Sequence, residues 1–586
     1  MNTDDRLINK AFVGIWAVNG ISMLFSIACV MIDAILIGQF LGKDAVTASG
    51  LLQPVIMLLN IVGGLLGPGL GILCTRYMGM ARKDKVNNVF SMIMEIQMCV
   101  SVFFSLLLFA LSPGIAQALG AKAQNPQIVT MIKDYLSWFS LAVLPMWFSI
   151  SLSGLMMVDN DRIRGIAGMV AVLITDFLFD YLNVAVFHGG MMGMAVATTL
   201  SYYTGLIVIL SHFTKKDRVL RFSFAKIDMK EITEVLRCSV TSSISLGSMA
   251  VRGLCFNAFL LACSGTVAVA AISSANSLFS IVNAVLLGTL TTTSSLVSML
   301  YGEEDRSGIV KAAKFSKKFV LIFMGVLTAA MLLFARVFAR AFLDSTATQE
   351  IAQAGVFIRF MAIQNLIQAI TFSQCGVFQG TRKNMFSNII TLLREAVFPV
   401  VVCLALGNIL GLPGFELGLT IAGALSLVSC FAIPSIVSKK LTIRTEDMII
   451  LPDDFGAKPE DVFEASMSSM DDVVKASENA MDFCLRKNID KRTSQMTALF
   501  IEETVGNTMT HKGRKEVLAE LRVILKGDSH MIRIRDNGRQ FDPVEWYEKN
   551  HPEDPSSGLG IRIIMKLARD VNFIPALGLN NLMITL

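Results

Sequence analysis

The sequence predicts an all-α polytopic membrane protein, with twelve transmembrane helices in two six-helix repeats, followed by a small soluble α/β domain. Three observations carry that prediction. Of 586 residues, 53% are hydrophobic and 17% charged, with a mean hydropathy of +0.60, whereas soluble domains carry nearer a quarter of charged residues. Between Ala11 and Val437 the apolar residues gather into runs, each close to the roughly 20 residues a helix needs to cross a bilayer. From Ser438 onward the composition becomes that of an ordinary soluble domain.

The N-terminal stretch MNTDDRLINK has no signal-peptide pattern, so the first apolar run is expected to be retained as a helix. Six runs fill residues 1–213 and six more fill 239–437, with a polar stretch, 214–238, between them. Alternate gaps are basic. The second run is followed by Arg76, Arg82, Lys83 and Lys85, and the fourth by Arg162 and Arg164. The eighth is followed by Lys311, Lys314, Lys317 and Lys318, and the tenth by Arg382 and Lys383. Intervening gaps such as FHGGM and LGNILGLPG contain neither Lys nor Arg. By the positive-inside rule both termini are cytoplasmic, and the expected location is a bacterial inner membrane. The formal net charge of +5 is thereby a matter of topology and does not indicate nucleic-acid binding. Ten cysteines are scattered without a C-x-x-C pair, so neither a zinc site nor a disulfide framework is expected.

An internal repeat is visible. LGKDAVTASGLLQPVIMLLNIV (41–62) and SGTVAVAAISSANSLFSIVNAV (264–285) align without a gap, pairing Gly42 with Gly265, Asn60 with Asn283 and, further on, Gly79 with Gly302. Duplication of six helices in one orientation places a binding cavity between the halves and suits rocking alternating access.

Asp33 lies within the first run, and Asp176 and Asp180 lie one turn apart in the fifth. A carboxylate at the centre of a spanning helix costs about 2.5–3.5 kcal/mol, so such residues face a polar interior and serve function. At i and i+4 the two fifth-run aspartates share a face, where they hold either a proton or a cation between them. Thr198 offers a hydroxyl from the sixth run, and an all-oxygen set suits Na⁺ or H⁺ rather than a transition metal. The competing reading has both aspartates capping a helix end. Arg252, Arg394 and Glu395 in the second half read as buried ion pairs rather than as a second transport site.

The stretches MIDAILIGQFLG and DFLFDYLNVAVFHGGMMGMAVATTLS, with the two repeats, resemble the MATE family of multidrug and toxin extrusion transporters over residues 10–437. The resemblance implies a Na⁺- or H⁺-coupled antiporter exporting amphipathic organic compounds across the lipid bilayer. It also implies a cation site in the first half, with Asp33, Asp180 and Thr198 at the family's positions and Asp176 where the family often has asparagine. Flippases of lipid-linked sugars share the architecture and are one alternative.

Residues 438–458 read as a charged, proline-bearing linker, and 459–586 as a strand, two helices, two strands and a further helix. In LFIEETVGNTMTHKG, Glu503, Asn507 and His511 recur every fourth residue and share one helical face. RDNGRQFDP follows with Asp536 and Gly538, then SSGLGIRIIMKLA with Gly558 and Gly560. In this order the three stretches resemble the boxes of the GHKL ATP-binding superfamily, and in particular anti-sigma-factor serine kinases.

That resemblance implies ATP and Mg²⁺ as cofactors and assigns each box a task. The Asn507 oxygen ligates Mg²⁺, and Glu503 orients or deprotonates the attacking water or hydroxyl. Asp536 accepts a hydrogen bond from the adenine amino group. Gly538, Gly558 and Gly560 give room to the nucleotide, the last two by letting backbone N–H groups approach phosphates. It further implies a cytosolic partner resembling an anti-sigma antagonist. A membrane-anchored serine kinase, with the transporter-like part as its sensor, is therefore the other alternative. One departure stands out, since the family's second glycine in the Asp536 box is Gln540 here.

Overall fold

The computed structural model describes residues 5–120, 126–215, 218–223, 226–343, 348–439, 441–442, 444–511, 513, 516–527, 529–549 and 558–586. The first lobe contains α1 (Arg6–Leu36), α2 (Gly42–Gly63), α3 (Gly67–Gly79), α4 (Lys83–Gly120), α5 (Pro126–Phe139), α6 (Val143–Val158), α7 (Arg162–Leu182) and α8 (Gly190–Leu210). The second contains α9 (Met229–Gly302), α10 (Arg306–Arg340), α11 (Thr348–Gly380), α12 (Asn384–Leu392), α13 (Phe398–Leu410) and α14 (Leu412–Ser438).

Among the described residues, ten helical stretches are long and apolar enough to cross a membrane, and two of them, Arg6–Gly79 and Met229–Gly302, run for 74 residues. Such a length is far more than one crossing requires. Each turns back at a glycine of positive φ, Gly42 (+84°) and Gly265 (+69°). These are partners in the sequence repeat, and they bring the count to twelve crossings.

On the side where both halves end near the tail, the lobes touch backbone to backbone. A Cβ on Gly79 would lie 2.1 Å from the Met299 carbonyl oxygen, and a Cβ on Gly302 would lie 2.1 Å from that of Arg76. Only glycine permits this approach, so the repeat has preserved its contact on both sides of the pseudo-axis. Around it, Arg76 and Arg382 both bind Glu234, at 2.8 and 3.0 Å, and the Ser239 hydroxyl accepts from the Gly69 N–H at 2.8 Å. The lobes are closed at this end.

The tail is a two-layer domain. Strands β1 (Val462–Met467), β2 (Ala519–Lys526), β3 (Ser529–Asp536), β4 (Asp570–Ala576) and β5 (Leu579–Thr585) form one antiparallel sheet in the order β1-β2-β3-β5-β4. Helices α15 (Met470–Arg486) and α16 (Lys491–Thr510) cover one face; α17 (Pro543–Lys549) and α18 (Leu559–Leu567) follow. Ser469 and Asp472 form a capping box that fixes the start of α15. Alternation along the strands sends Leu521, Val523, Ile532 and Ile534 into a core with Val473, Ala476, Phe500 and Ile501. The opposite face, with Arg522, Arg533 and Arg535, lies against the closed end of the lobes.

The stretch joining tail to lobe has no helix or strand over most of its length, yet it is packed. Met448 is buried, with its sulfur 3.3 Å from Lys317 Nζ and its carbonyl accepting from Gln374 Nε2 at 3.1 Å. Phe455 stacks on Tyr301 at 4.8 Å, and Arg306 donates to the Pro452 carbonyl at 2.7 Å. These apolar and backbone anchors fasten the charged linker to the second lobe.

Candidate functional site

Two places concentrate chemistry. The first is inside the first lobe. Asp33 projects from α1, and Asp176 and Asp180 from one face of α7. One carboxylate oxygen from each lies within 4.8 Å of the other two. Asp176 and Asp180 are 2% and 0% exposed, so neither is a solvated cap at a helix end. The Ser201 hydroxyl lies 2.9 Å from Asp176 Oδ1. Asp33 Oδ1 and both oxygens of Asp180 have no hydrogen-bond partner among the described residues. Buried carboxylate oxygens without donors are costly unless a cation or proton satisfies them. The donor set, all hard oxygen, fits Na⁺ or H⁺.

Thr198, the hydroxyl singled out from the sequence, donates to the Met194 carbonyl at 3.1 Å. It is Ser201, nearly a turn further along α8, that reaches Asp176. Single π-helical turns, Ile37–Leu41 and Asn183–Phe187, follow Asp33 and Asp180 along their helices. Such turns mark functional sites in many helices, because they shift the register of the face that follows. In the second lobe the equivalent depth holds an ion-paired group instead. Glu395 is bound by Arg252 at 3.1 Å and by Arg394 at 3.0 Å, and Arg394 sits 3.5 Å over the Phe372 ring.

The second place is a cavity of about 630 Å³ in the tail, lined by Glu503, Asn507, His511, Asp536, Trp546 and Gly558 among others. Its size suits a drug- or nucleotide-sized ligand, within the usual ~300–1,000 Å³. The helical face of Glu503, Asn507 and His511 forms one wall. Asp536 stands at the end of β3, where Oδ1 accepts from the Gly538 N–H at 2.7 Å and from Asn580 Nδ2 at 2.8 Å. Asn580 was not singled out from the sequence; it faces Asp536 because β3 and β5 pair in that register.

Gly558 is the N-cap of α18 at φ +62°. A Cβ there would lie 2.1 Å from the Trp546 ring, and one on Gly560 would lie 1.9 Å from Glu503 Oε2. Gly558 thus seats the Trp546 ring and Gly560 the Glu503 carboxylate. Gln540, where a glycine was expected, lines the cavity rim and accepts a long 3.5 Å contact from Asn160 of the first lobe. Ser556 and Ser557 lie outside the described residues.

Comparison with known proteins agrees with both parts. The MatE family model matches twice, over residues 20–182 and 242–404, and a histidine kinase-like ATPase domain matches residues 467–584. The multidrug export protein MepA of Staphylococcus aureus (strain MSSA476) is 22% identical over 435 residues, covering 73% of this chain and 94% of that protein. The Staphylococcus saprophyticus protein of the same name is 21% identical over 431 residues, with the same coverage.

Among solved structures, an outward-facing multidrug resistance MATE transporter of the MOP superfamily superposes with a TM-score of 0.68 at 21% identity, covering 75% of this chain and 100% of that one. A MOP superfamily transporter from Pyrococcus furiosus gives 0.67 at 20%, with the same coverage. A kinase-like ATPase domain of this kind implies ATP bound with Mg²⁺, and the cavity's asparagine, aspartate and glycines fit both. The two family matches take in more than half of the sequence and fall one on each lobe: the chain belongs to the MatE family and carries a histidine kinase-like ATPase domain at its C-terminal end.

Proposed function

We propose that the chain is a cation-coupled antiporter of the bacterial inner membrane, with both termini cytoplasmic, exporting amphipathic organic compounds by alternating access under the control of its ATP-binding tail. The observation that carries this is the convergence of Asp33, Asp176 and Asp180, with three carboxylate oxygens left without donors among the described residues. In this reading Asp33 and Asp180 take up Na⁺ or H⁺ with Asp176 beside them, Ser201 steadies Asp176, and Thr198 flanks the site. The multidrug export named for the staphylococcal relatives supports small organic substrates.

In the tail, Asn507 ligates Mg²⁺, Asp536 reads the adenine amino group, and Gly538, Gly558 and Gly560 leave space for the nucleotide. Bound ATP supplies a transferable phosphoryl group, and Glu503 is the base beside it. Because Glu503 and Asn507 line one cavity wall a turn apart, a serine kinase acting on a small cytosolic protein stands as the second reading.

The test uses full-length protein in proteoliposomes, with efflux of an amphipathic dye followed under an imposed Na⁺ or H⁺ gradient. Gradient-dependent transport is expected in the wild type and lost in Asp33→Asn and Asp180→Asn. Wild-type rates in both variants would refute the coupling site. ATP-dependent serine phosphorylation of a co-purified protein, without any gradient-driven transport, would favour the kinase.

A further inference from the structure

The tail grips both lobes at their closed end, and the two grips differ in kind. Toward the second lobe the contact is dense and charged. Arg535 binds Asp305 and lies 3.4 Å from Glu303; Arg522 lies 3.5 Å from Asp305; Lys526 lies 2.6 Å from Glu304; and the Ser307 hydroxyl donates to Glu464 of β1 at 2.7 Å. Asp305 is itself fixed, because it caps α10 by accepting from the Gly308 N–H at 2.8 Å. The packed linker runs to the same lobe. The tail is therefore bolted to the second lobe.

Toward the first lobe the grip is an apolar plug with polar ties and one exposed charged cluster, in which Glu516 binds Lys10 and, at 3.4 Å, Arg6 of α1. Leu577, at the β4–β5 turn, is 1% exposed and belongs to the core cluster that holds Val158, Leu155 and Met156. Its N–H reaches the Val158 carbonyl at 3.4 Å, and its own carbonyl accepts from Arg162 at 2.9 Å. Arg533 donates to the Gly79 carbonyl at 3.0 Å, and Lys83 lies 3.2 Å from Asp542. All of these partners lie on first-lobe helix ends or on the loops joining them.

Rocking the lobes apart at this end must separate Gly79 from Gly302, which are now in backbone contact. Hydrogen bonds weaken steeply beyond their normal reach, so one domain cannot keep both grips while the lobes part. We propose that the tail is a latch on alternating access: it moves with the second lobe, and withdrawal of the Leu577 hairpin from the first lobe is required before the tail side opens. The releasable grip is also the one joined to the nucleotide cavity. Gln540 and Asp542 belong to the loop after Asp536, and Asn580, which holds Asp536, lies just beyond Leu577. This rests on the antiporter reading and deepens it, by naming which end is restrained and by which residues.

The experiment places bioorthogonal spin labels at Asp84 and Met385, one on each lobe at the tail side, in full-length protein in proteoliposomes, and measures their separation by pulsed EPR. Leu577→Asp puts a charge into the buried seat and is expected to raise the long-distance, open population at least threefold. Lys83→Glu faces Asp542 with a like charge and is expected to shift it in the same direction, with Asp542→Lys in that background restoring the wild-type distribution. This part-buried pair decides the matter if Leu577→Asp does not fold. Unchanged distributions in the latch variants, from a wild type that does open under a gradient, would overturn the latch. A wild type that never opens under any Na⁺ or H⁺ gradient would instead overturn the carrier reading on which it rests.

Discussion

Ser201 is the α8 hydroxyl that meets Asp176, and the reason is local. Both hydroxyls lie on α8 and each reaches a backbone carbonyl of that helix, Met194 for Thr198 and Thr198 for Ser201, but Ser201 also lies 2.9 Å from Asp176 Oδ1. A hydrogen bond to a charged group contributes about 1.5–3 kcal/mol, or roughly ten- to a hundredfold in affinity. Ser201→Ala should therefore weaken the apparent affinity for the coupling ion by about tenfold while sparing the rate at saturating ion, as read from the ion dependence of transport. Thr198→Ala should change it far less. Helical spacing made the aspartates readable, since i and i+4 share a face. It did not show which α8 hydroxyl meets them, because that depends on the rotation of one helix against another. Glu520 gives a second test. Burial pushes its pKa up to about 7, with Arg535 opposing and Asp305 and Glu303 adding to the rise, while Lys311 opposes it. The native state holds this proton more tightly than the unfolded chain does. The stability it contributes is present below the ordinary carboxyl pKa, about 4.3, and is lost as pH rises through about 7. Glu520→Gln should thus flatten the loss of thermal stability of the full-length protein between about pH 5 and pH 8; an unchanged slope would show that Glu520 does not titrate there.

At the scale of elements, the closed end depends on α3 meeting α9 at Gly79 and Gly302. Filling that contact with Gly302→Val forces the backbones apart, and overpacking of this kind costs about 1–3 kcal/mol. The expected outcome is a lower melting temperature together with a larger tail-side-open population; a variant as stable and as closed as the wild type would show that the contact is not a constraint. The glycine pair was readable as a match between repeats. Its meaning was not, because a match shows that two positions correspond and leaves open what they touch. The strands of the tail tell the opposite story. Alternation in SHMIRIRD assigns Ile532 and Ile534 to one face and Arg533 and Arg535 to the other, as found. Alternation gives the arginines a polar surface; the structure gives them Asp305, Glu303 and the Gly79 carbonyl. Those partners lie hundreds of residues away in the chain, and no local pattern reveals them. The packing of the linker is hidden for the same reason, since Met448 and Phe455 find their seats only on an assembled second lobe.

Across the whole molecule, one domain rests on two lobes that must move relative to each other, and its ligand cavity borders the grip on the first lobe. Thermodynamic linkage then requires reciprocity: if nucleotide alters the balance between closed and open tail sides, the transported substrate alters nucleotide affinity by the same factor. The latch proposal also implies a sign. On the proposed site, a nucleotide held by Asp536 would order the loop that carries Gln540 and Asp542 and so favour the docked arrangement in which those residues meet Asn160 and Lys83. A substrate that draws the lobes apart at the tail side works against that docking. Saturating substrate should therefore lower Mg–ATP affinity, within the range of about 5–150-fold that couplings of 1–3 kcal/mol produce. Calorimetric titration of full-length protein with Mg–ATP, in the presence and absence of a substrate dye, measures this directly. The effect should vanish in Leu577→Asp, whose tail no longer holds the first lobe, while ATP binding itself persists. Identical affinities with and without substrate in the wild type would exclude the coupling and leave a kinase-like domain that merely shares a chain with a carrier.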